Sequence, residues 1–439
     1  MEEVAAFSIL ALTVGLSLGR PRIGWLRIQH SVAAVLGALL TLAFGLVTPA
    51  QALAAARLLA FPIVTIASLM IITLVAEQAG LFDLLAWRLA RDAKGSGRRL
   101  FAYLFLGGTL VGSVFTNDAA VLIFTPLVFH LTEEVRDKTW KAGSAIPFYF
   151  AVLYVANLVG GLVISNPINI IVSSLFGIRF GEYARWMALP ALASIAVSFI
   201  GLLLVFRRSL PASYRIPDRP ALDRTRSRML PVCAAVLGLT LAGFFTESWT
   251  GFPPWLVALT GALVLLGLRG VVNGDGPGSV LRAVGWDVLI FVLGIFIVVT
   301  GLRNAGLTDQ LGAFVKWAAG PSQTALTFVT GFVAAIASAL VNNHPTAGLM
   351  AHVIAGLGLP AFETKMAVFA ALVGGDVGPK MLPIGSLAAL IWFRILRNKG
   401  VRIPYALYIR IGIPVTLVAV FLSVAVLNLE NWFVRLIAP

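Results

Sequence analysis

Four polar clusters interrupt otherwise apolar sequence, and each carries side chains able to bind a small polar solute or a proton. The first is Thr116, Asn117 and Asp118, within "GSVFTNDAAVLIFTPLV" at 112–128. The second is Asn342, Asn343, His344, Pro345 and Thr346, within "VNNHPTAG". A third, "GGLVISNPINI" at 160–170, sets Asn166 and Asn169 beside Gly160, Gly161 and Pro167. The fourth, "GGDVGPKMLPIGS" at 374–386, holds Asp376, Lys380 and Ser386. Amide side chains both donate and accept hydrogen bonds, whereas carboxylate, ammonium and imidazole groups can exchange protons. Glycine permits unusual backbone angles and proline removes an amide donor, so the third and fourth clusters read as helices unwound in mid-run. Such a break leaves half-helix ends whose dipoles and free amides face the gap.

The elements around these clusters belong to a membrane. Of 439 residues, 59% are hydrophobic and 12% are charged, against about 25% charged in ordinary soluble domains, and mean hydropathy is +0.94. Apolar runs long enough to cross the hydrocarbon recur along the whole chain. The N-terminal stretch "MEEVAAFSILALTVGLSLGR" begins with two acids and offers no convincing cleavage site, so it is expected to remain as a helix. Cys233 is the single cysteine, which excludes an intrachain disulfide and a multi-cysteine metal site. The formal charge of +14 reflects short basic loops between apolar runs, which points to membrane orientation and not to nucleic acid.

Spanning segments are expected near 4–19, 28–47, 57–78, 146–176, 184–206, 229–246, 254–270, 286–303, 366–393 and 404–428. Two further apolar regions, about 100–130 and 322–354, are broken near the middle, as re-entrant hairpins would be. With the N-terminus outside, the basic residues of 20–27, 88–99, 136–141, 207–228, 269–282 and 394–402 fall inside. The outside receives only Arg57, Arg179, Arg185, Arg303, Lys316, Lys365 and Arg435. That asymmetry predicts ten spans and two hairpins, with both termini outside.

The chain also repeats itself. "EQAGLFDLL" at 77–85 aligns with "RNAGLTDQL" at 303–311, an offset of 226 that also carries Asn117 onto Asn343. "VGGLVISNPINIIVSSL" at 159–175 resembles "VGGDVGPKMLPIGSLAAL" at 373–390, with Val-Gly-Gly at offset 214 and Pro167 facing Pro383 at offset 216. The expected organisation is a first repeat over 1–206, an Arg/Pro-rich linker over 207–228 and a second repeat over 229–439. An odd number of spans per half turns the second copy upside down, and inverted repeats with broken helices are a mark of secondary transporters. The two hairpin tips would approach from opposite sides and could meet near the midplane.

An ionisable group within the membrane by default marks a substrate or proton path. Asp118 has no obvious structural use at a hairpin tip. The other groups admit plainer readings: the asparagines as glue between helices, Lys380 as a side chain snorkelling to an interface, Asp376 as its counter-ion, and His344 as a structural or gating histidine. No phosphate-binding Gly-rich loop, zinc-ligand spacing or Ser-His-Asp arrangement is legible, so no cofactor and no enzymatic chemistry is expected.

"FTNDAAVLIFTPLV", "SNPINI" and "GPKMLPIGSLAALIW" resemble the arsenite/antimonite efflux permeases of the ArsB type, within the larger ion transporter superfamily. The resemblance covers nearly the whole chain. It implies an all-α polytopic fold with two inverted repeats, located in a bacterial inner membrane. It also implies proton-driven export of trivalent arsenic or antimony hydroxides, in some relatives with a cytoplasmic arsenical ATPase as partner. Arsenious acid is a neutral triol, which suits donors and acceptors better than a charge clamp. Asn117, Asn166, Asn169 and Asn343, with Thr116 and Ser386, are therefore the expected substrate contacts. Asp118 is the leading proton carrier, followed by Asp376, with Lys380 and His344 as coupling candidates. A sodium/proton antiporter or an anion transporter of the same superfamily is the alternative.

Overall fold

A computed structural model describes residues 1–23, 26–136, 140–141, 143–220, 224–274 and 276–437; the side chains at 22–23, 26–27, 117–119, 224–227 and 273 lie outside that description. The first half contains α1 (Glu2–Gly19), α2 (His30–Ala43), α3 (Pro49–Gln78), α4 (Leu81–Asp92), α5 (Gly97–Val114), α6 (Asn117–Glu134), α7 (Ile146–Val155), α8 (Pro167–Leu175) and α9 (Phe180–Phe206). Two two-residue strands, β1 (Arg22–Ile23) and β2 (Leu26–Arg27), pair antiparallel between α1 and α2. The second half contains α10 (Arg224–Phe245), α11 (Glu247–Thr250), α12 (Pro254–Asn273), α13 (Gly278–Ala283), α14 (Trp286–Asn304), α15 (Leu307–Ala319), α16 (Gln323–Val341), α17 (Asn343–Gly356), α18 (Ala361–Val377), α19 (Leu387–Asn398) and α20 (Tyr405–Ile437). Among the described residues, eight helices are long and apolar enough to cross a membrane: α1, α3, α9, α10, α12, α14, α16 and α20.

The repeat is visible in local chain geometry. Gly80 before α4 and Gly306 before α15 both adopt left-handed backbone, with φ of 80° and 82°. Ser96 caps α5 by accepting from the Arg99 amide, and Ser322 caps α16 by accepting from the Ala325 amide. Asn117 opens α6 and Asn343 opens α17. Each of these pairs lies 226 residues apart. Helices α5 and α6 form one hairpin, and α16 and α17 form the other.

The register slips at the broken helices. The second half-helices α8 and α19 are capped by Asn166 and Ser386, which are 220 residues apart and not 216. Gly374 and Gly375 remain inside α18, and the chain departs from α-helix only at Gly378–Lys380, around Pro379. The Gly-Gly pairs therefore match in sequence without occupying equivalent turns. An unwound stretch has no helical period to preserve, so residues can be gained or lost there without turning a buried face outward.

Neither Gly-Gly pair has positive φ; both pairs matter for close approach. A Cβ on Gly160 would sit 2.1 Å from the Ser165 hydroxyl, and one on Gly374 would sit 2.0 Å from the Gly331 carbonyl of α16. Small residues let helix backbones meet closely where lipid supplies no hydrophobic drive between them.

The two halves exchange elements. Helix α2 packs on α14 while α12 packs on α3; α6 packs on α19 while α17 packs on α8. Each hairpin thus lies against the second half-helix of the opposite half. The segment 207–220, expected as a plain linker, is strapped across the base of the first hairpin. There the Tyr214 amide donates to Gly95 O, the Arg215 amide to Val135 O, and the Trp140 indole to Ser213 O. The Tyr214 hydroxyl also donates to the Ala90 carbonyl.

Gly374→Ala is expected to lower thermal stability in detergent by roughly 1–3 kcal/mol, the range for overpacking a tight contact. Gly238→Ala, where a Cβ meets nothing within 4 Å, should leave the unfolding temperature unchanged or slightly raised.

Candidate functional site

The centre of the molecule is a buried carboxylate. Asp376 lies one residue before the end of α18 and is 1% exposed. Its Oδ1 accepts from Asn166 Nδ2 at 2.6 Å, and its Oδ2 accepts from the Gly160 amide at 2.9 Å and from Asn169 Nδ2 at 3.0 Å. All three donors come from the broken helix of the opposite half. An ionised carboxylate offers about four acceptor positions, so roughly one stays open here. Asn169 Oδ1 is also buried without a partner among the described residues. Asp376 and Asn169 thus each keep unfilled acceptor capacity, which suits a solute that brings hydroxyl donors.

Local sequence explains the cradle. Pro167 fixes the first turn of α8, and Asn166 caps it by accepting from the Ile168 amide while its Nδ2 turns to Asp376. The unwound chain before α8 frees the Gly160 amide for the carboxylate and the Gly160 carbonyl for the Tyr183 hydroxyl at 3.1 Å. A second tie has the converse direction: Ser386, capping α19, donates to Oδ1 of Asn157 at 3.2 Å, just past α7. In both ties, a group at the end of one half's first half-helix accepts from the cap of the other half's second half-helix.

Lys380 is buried and does not reach an interface. Its ammonium donates to Ser198 Oγ of α9 at 3.2 Å and lies 5.0 Å from the centroid of the Tyr154 ring. Among the described residues, no ion pair joins it to Asp376. His344 sits at the second hairpin tip, where Asn342, at φ 80°, caps α17 by accepting from the His344 amide. His344 Nδ1 lies 3.2 Å from Asn342 Oδ1, and its Nε2 is buried without a partner among the described residues. Asn343 is half-buried beside it. Thr116, at the first hairpin tip, is fully buried, its hydroxyl without a partner among the described residues. The side chains of Asn117 and Asp118 lie outside the described residues; their backbone opens α6.

Asn166, Asn169 and Asp376 are thus brought together, Ser386 belongs to the adjoining tie, and Lys380 and His344 lie in separate surroundings. Asn157, Tyr183 and Ser198 are partners that the sequence reading did not name. Asn157 carried a usable signal, a lone amide in the apolar run "LYVANLVGG". Ser198 and Tyr183 carried none, because one serine or tyrosine on a spanning helix is unremarkable until its neighbour is known.

A cavity of about 440 Å³ lies between the halves, at the end where α1, α3 and α13 finish. Arg20, His30, Glu77, Thr116, Asp287 and Leu387 are among its walls, so it reaches from the basic loops to the first hairpin tip and the start of α19. A second cavity of about 340 Å³, at the other end, touches neither tip. That end is held by Lys365 and Glu182, 2.6 Å apart across α18 and α9, and by the Phe180 amide donating to Glu247 at 2.7 Å.

This architecture has counterparts. The YdaH transporter of Alcanivorax borkumensis superimposes with a TM-score of 0.59 at 17% identity, covering 98% of this chain and 97% of that one. Neisseria gonorrhoeae MtrF, described with a class of antimetabolite efflux pumps, gives 0.54 at 11% identity over 97% and 94%. In sequence, an arsenical pump membrane protein of Escherichia coli is 34% identical over 437 residues, covering 98% of this chain and 99% of that protein. One from Yersinia enterocolitica is 33% identical over 431 residues, covering 97% and 98%. The ArsB profile, that of the arsenical pump membrane protein, matches residues 4–433. With a multi-pass transporter fold and this match from end to end, the chain belongs to the arsenical pump membrane protein family.

Proposed function

We propose that this protein exports trivalent arsenic and antimony hydroxides from the cytoplasm across a bacterial inner membrane, in exchange for protons, by alternating access. The observation that carries the reading is the Asp376 cradle: a buried carboxylate held by amides of the opposite half, with acceptor capacity to spare. A neutral triol donates O–H groups to such acceptors and asks for no countercharge. Protonation turns the carboxylate into a donor and removes acceptor positions. Substrate and proton therefore compete for the same oxygen atoms, the elementary requirement for exchange. Asn166 and Asn169 orient the carboxylate and take up the remaining hydroxyl oxygens; Thr116, Asn117, Asn343 and Ser386 are the further substrate contacts in this reading. Asp118 is the second proton carrier. Lys380 and His344 tune the site, one as a buried cation on the same broken helix and the other at the second hairpin tip.

The cavity favours a cytoplasm-facing state. It opens among the loops that the charge asymmetry assigns to the cytoplasm, whereas the other end is tied by Lys365–Glu182 and Phe180–Glu247. Both termini then lie in the periplasm. The Arg-rich strap on the cytoplasmic side is the surface a soluble arsenical ATPase would meet.

Asp376→Asn preserves shape but cannot take up and release a proton, and Asp118→Asn likewise. Each should abolish proton-driven arsenite uptake into everted vesicles, and undiminished coupled uptake by either variant would remove that residue from the coupling. Asn166→Ala withdraws a hydrogen bond from a charged group and should cost about 1.5–3 kcal/mol, a loss in arsenite transport of tenfold or more. Ser386→Ala breaks a neutral tie of about 0.6 kcal/mol and should slow the same uptake by less than threefold.

A further inference from the structure

His30 opens α2, outside all four polar clusters in sequence, yet it is 2% exposed and lines the 440 Å³ cavity. Its Nδ1 lies 2.6 Å from the Ser17 hydroxyl of α1, which fixes the ring plane. An edge contact with Phe291, 5.8 Å between centroids, holds it from the side. Its Nε2 is buried without a partner among the described residues. Thr116 lines the same cavity, and its hydroxyl is likewise buried without a partner. A buried polar atom left unpaired costs about 1–3 kcal/mol, so two in one cavity mark a place where a polar guest repays that cost. The remaining polar walls are Arg20, Thr73, Glu77 and Asp287, and Asp287 Oδ1 already accepts from the Ser31 amide. None of the Asp376 cradle residues is among the walls.

We infer that His30 and Thr116 form a second, vestibular binding site for the neutral trivalent hydroxide, occupied before substrate reaches the Asp376 cradle. The inference rests on the proposed export of such hydroxides. In either ring tautomer, Nε2 complements the guest: unprotonated it accepts an arsenite O–H, and protonated it donates to an arsenite oxygen. The threonine hydroxyl does both. A neutral hydroxide suits these walls better than an oxyanion, because the carboxylates of Glu77 and Asp287 outnumber the one guanidinium, Arg20, among them. A site at the mouth sets how much solute is captured at low concentration and leaves the later exchange at Asp376 untouched.

Arsenite uptake into everted vesicles, measured across substrate concentration and normalised to protein abundance, tests this. His30→Phe keeps the ring packing and removes both nitrogens, and Thr116→Val keeps the shape and removes the hydroxyl. Each should raise KM up to about tenfold, as expected for one lost hydrogen bond in capture, with the maximal rate kept. His30→Gln, which restores a donor and an acceptor, should bring KM back toward the wild-type value. Wild-type uptake with an unshifted KM in both His30→Phe and Thr116→Val overturns the site. A lower maximal rate at unchanged KM also overturns it, since that pattern belongs to a structural or gating role. Wild-type vesicles that take up no arsenite overturn the export reading itself, and this site with it.

Discussion

One carboxylate and the amides that surround it hold the centre of this molecule together. Asp376 is buried on a helix of the second half, and among the described residues every donor to its carboxylate comes from the first. A charge in such a place is tolerable only because the opposing backbone is unwound, which releases a main-chain amide and turns two asparagine side chains toward it. Those breaks in turn need the glycines whose missing Cβ atoms let Ser165 and Asn169 come within contact of the chain at Gly160. The small residues of α16 and α18, the caps at Asn166 and Ser386 and the helix ends around them all follow from that single requirement.

The same reciprocity recurs at larger scale. Each half lends its hairpin to the other half's second half-helix, and each lends an early helix to the other's inner helix, α2 to α14 and α12 to α3. The second half holds a small apolar cluster of its own, Val315, Ala319, Leu326 and Leu357, but the main core is shared by both halves. The main core runs across the interface between them, and the Asp376 cradle lies within it among close apolar packing.

Much of this was written in the sequence. A constant offset of 226 residues linked Asn117 to Asn343, and the shared caps at Ser96 and Ser322 and the left-handed glycines at 80 and 306 fall on that offset. Composition and charge asymmetry were enough for a polytopic fold with paired hairpins. Legibility ended at the broken helices, where the matching Gly-Gly pairs suggested an offset near 214 and the capping residues stand 220 apart. Periodicity is what makes sequence readable as structure, and an unwound segment has none. The site was legible by residue type but not by partner: Asp376 and Lys380 looked like an ion pair four residues apart, yet one turns to asparagines of α8 and the other to Ser198 and Tyr154. His30 was invisible for a related reason, since a histidine after a basic loop resembles any interfacial residue until a cavity is found against it.

The strap over the first hairpin makes the two halves mechanically unequal despite their kinship. A chain passes from one repeat to the next only once, and the base of the second hairpin is tied instead by α20, through Asn428 to Thr327 and Arg435 to Gln323. Main-chain bonds from Tyr214 and Arg215 fasten residues 207–220 to both ends of the α5–α6 pair. The first hairpin and the connector must therefore travel as one body, or stay still as one. In a pair of inverted copies that would otherwise be interchangeable, this fastening sets the first hairpin apart from the second.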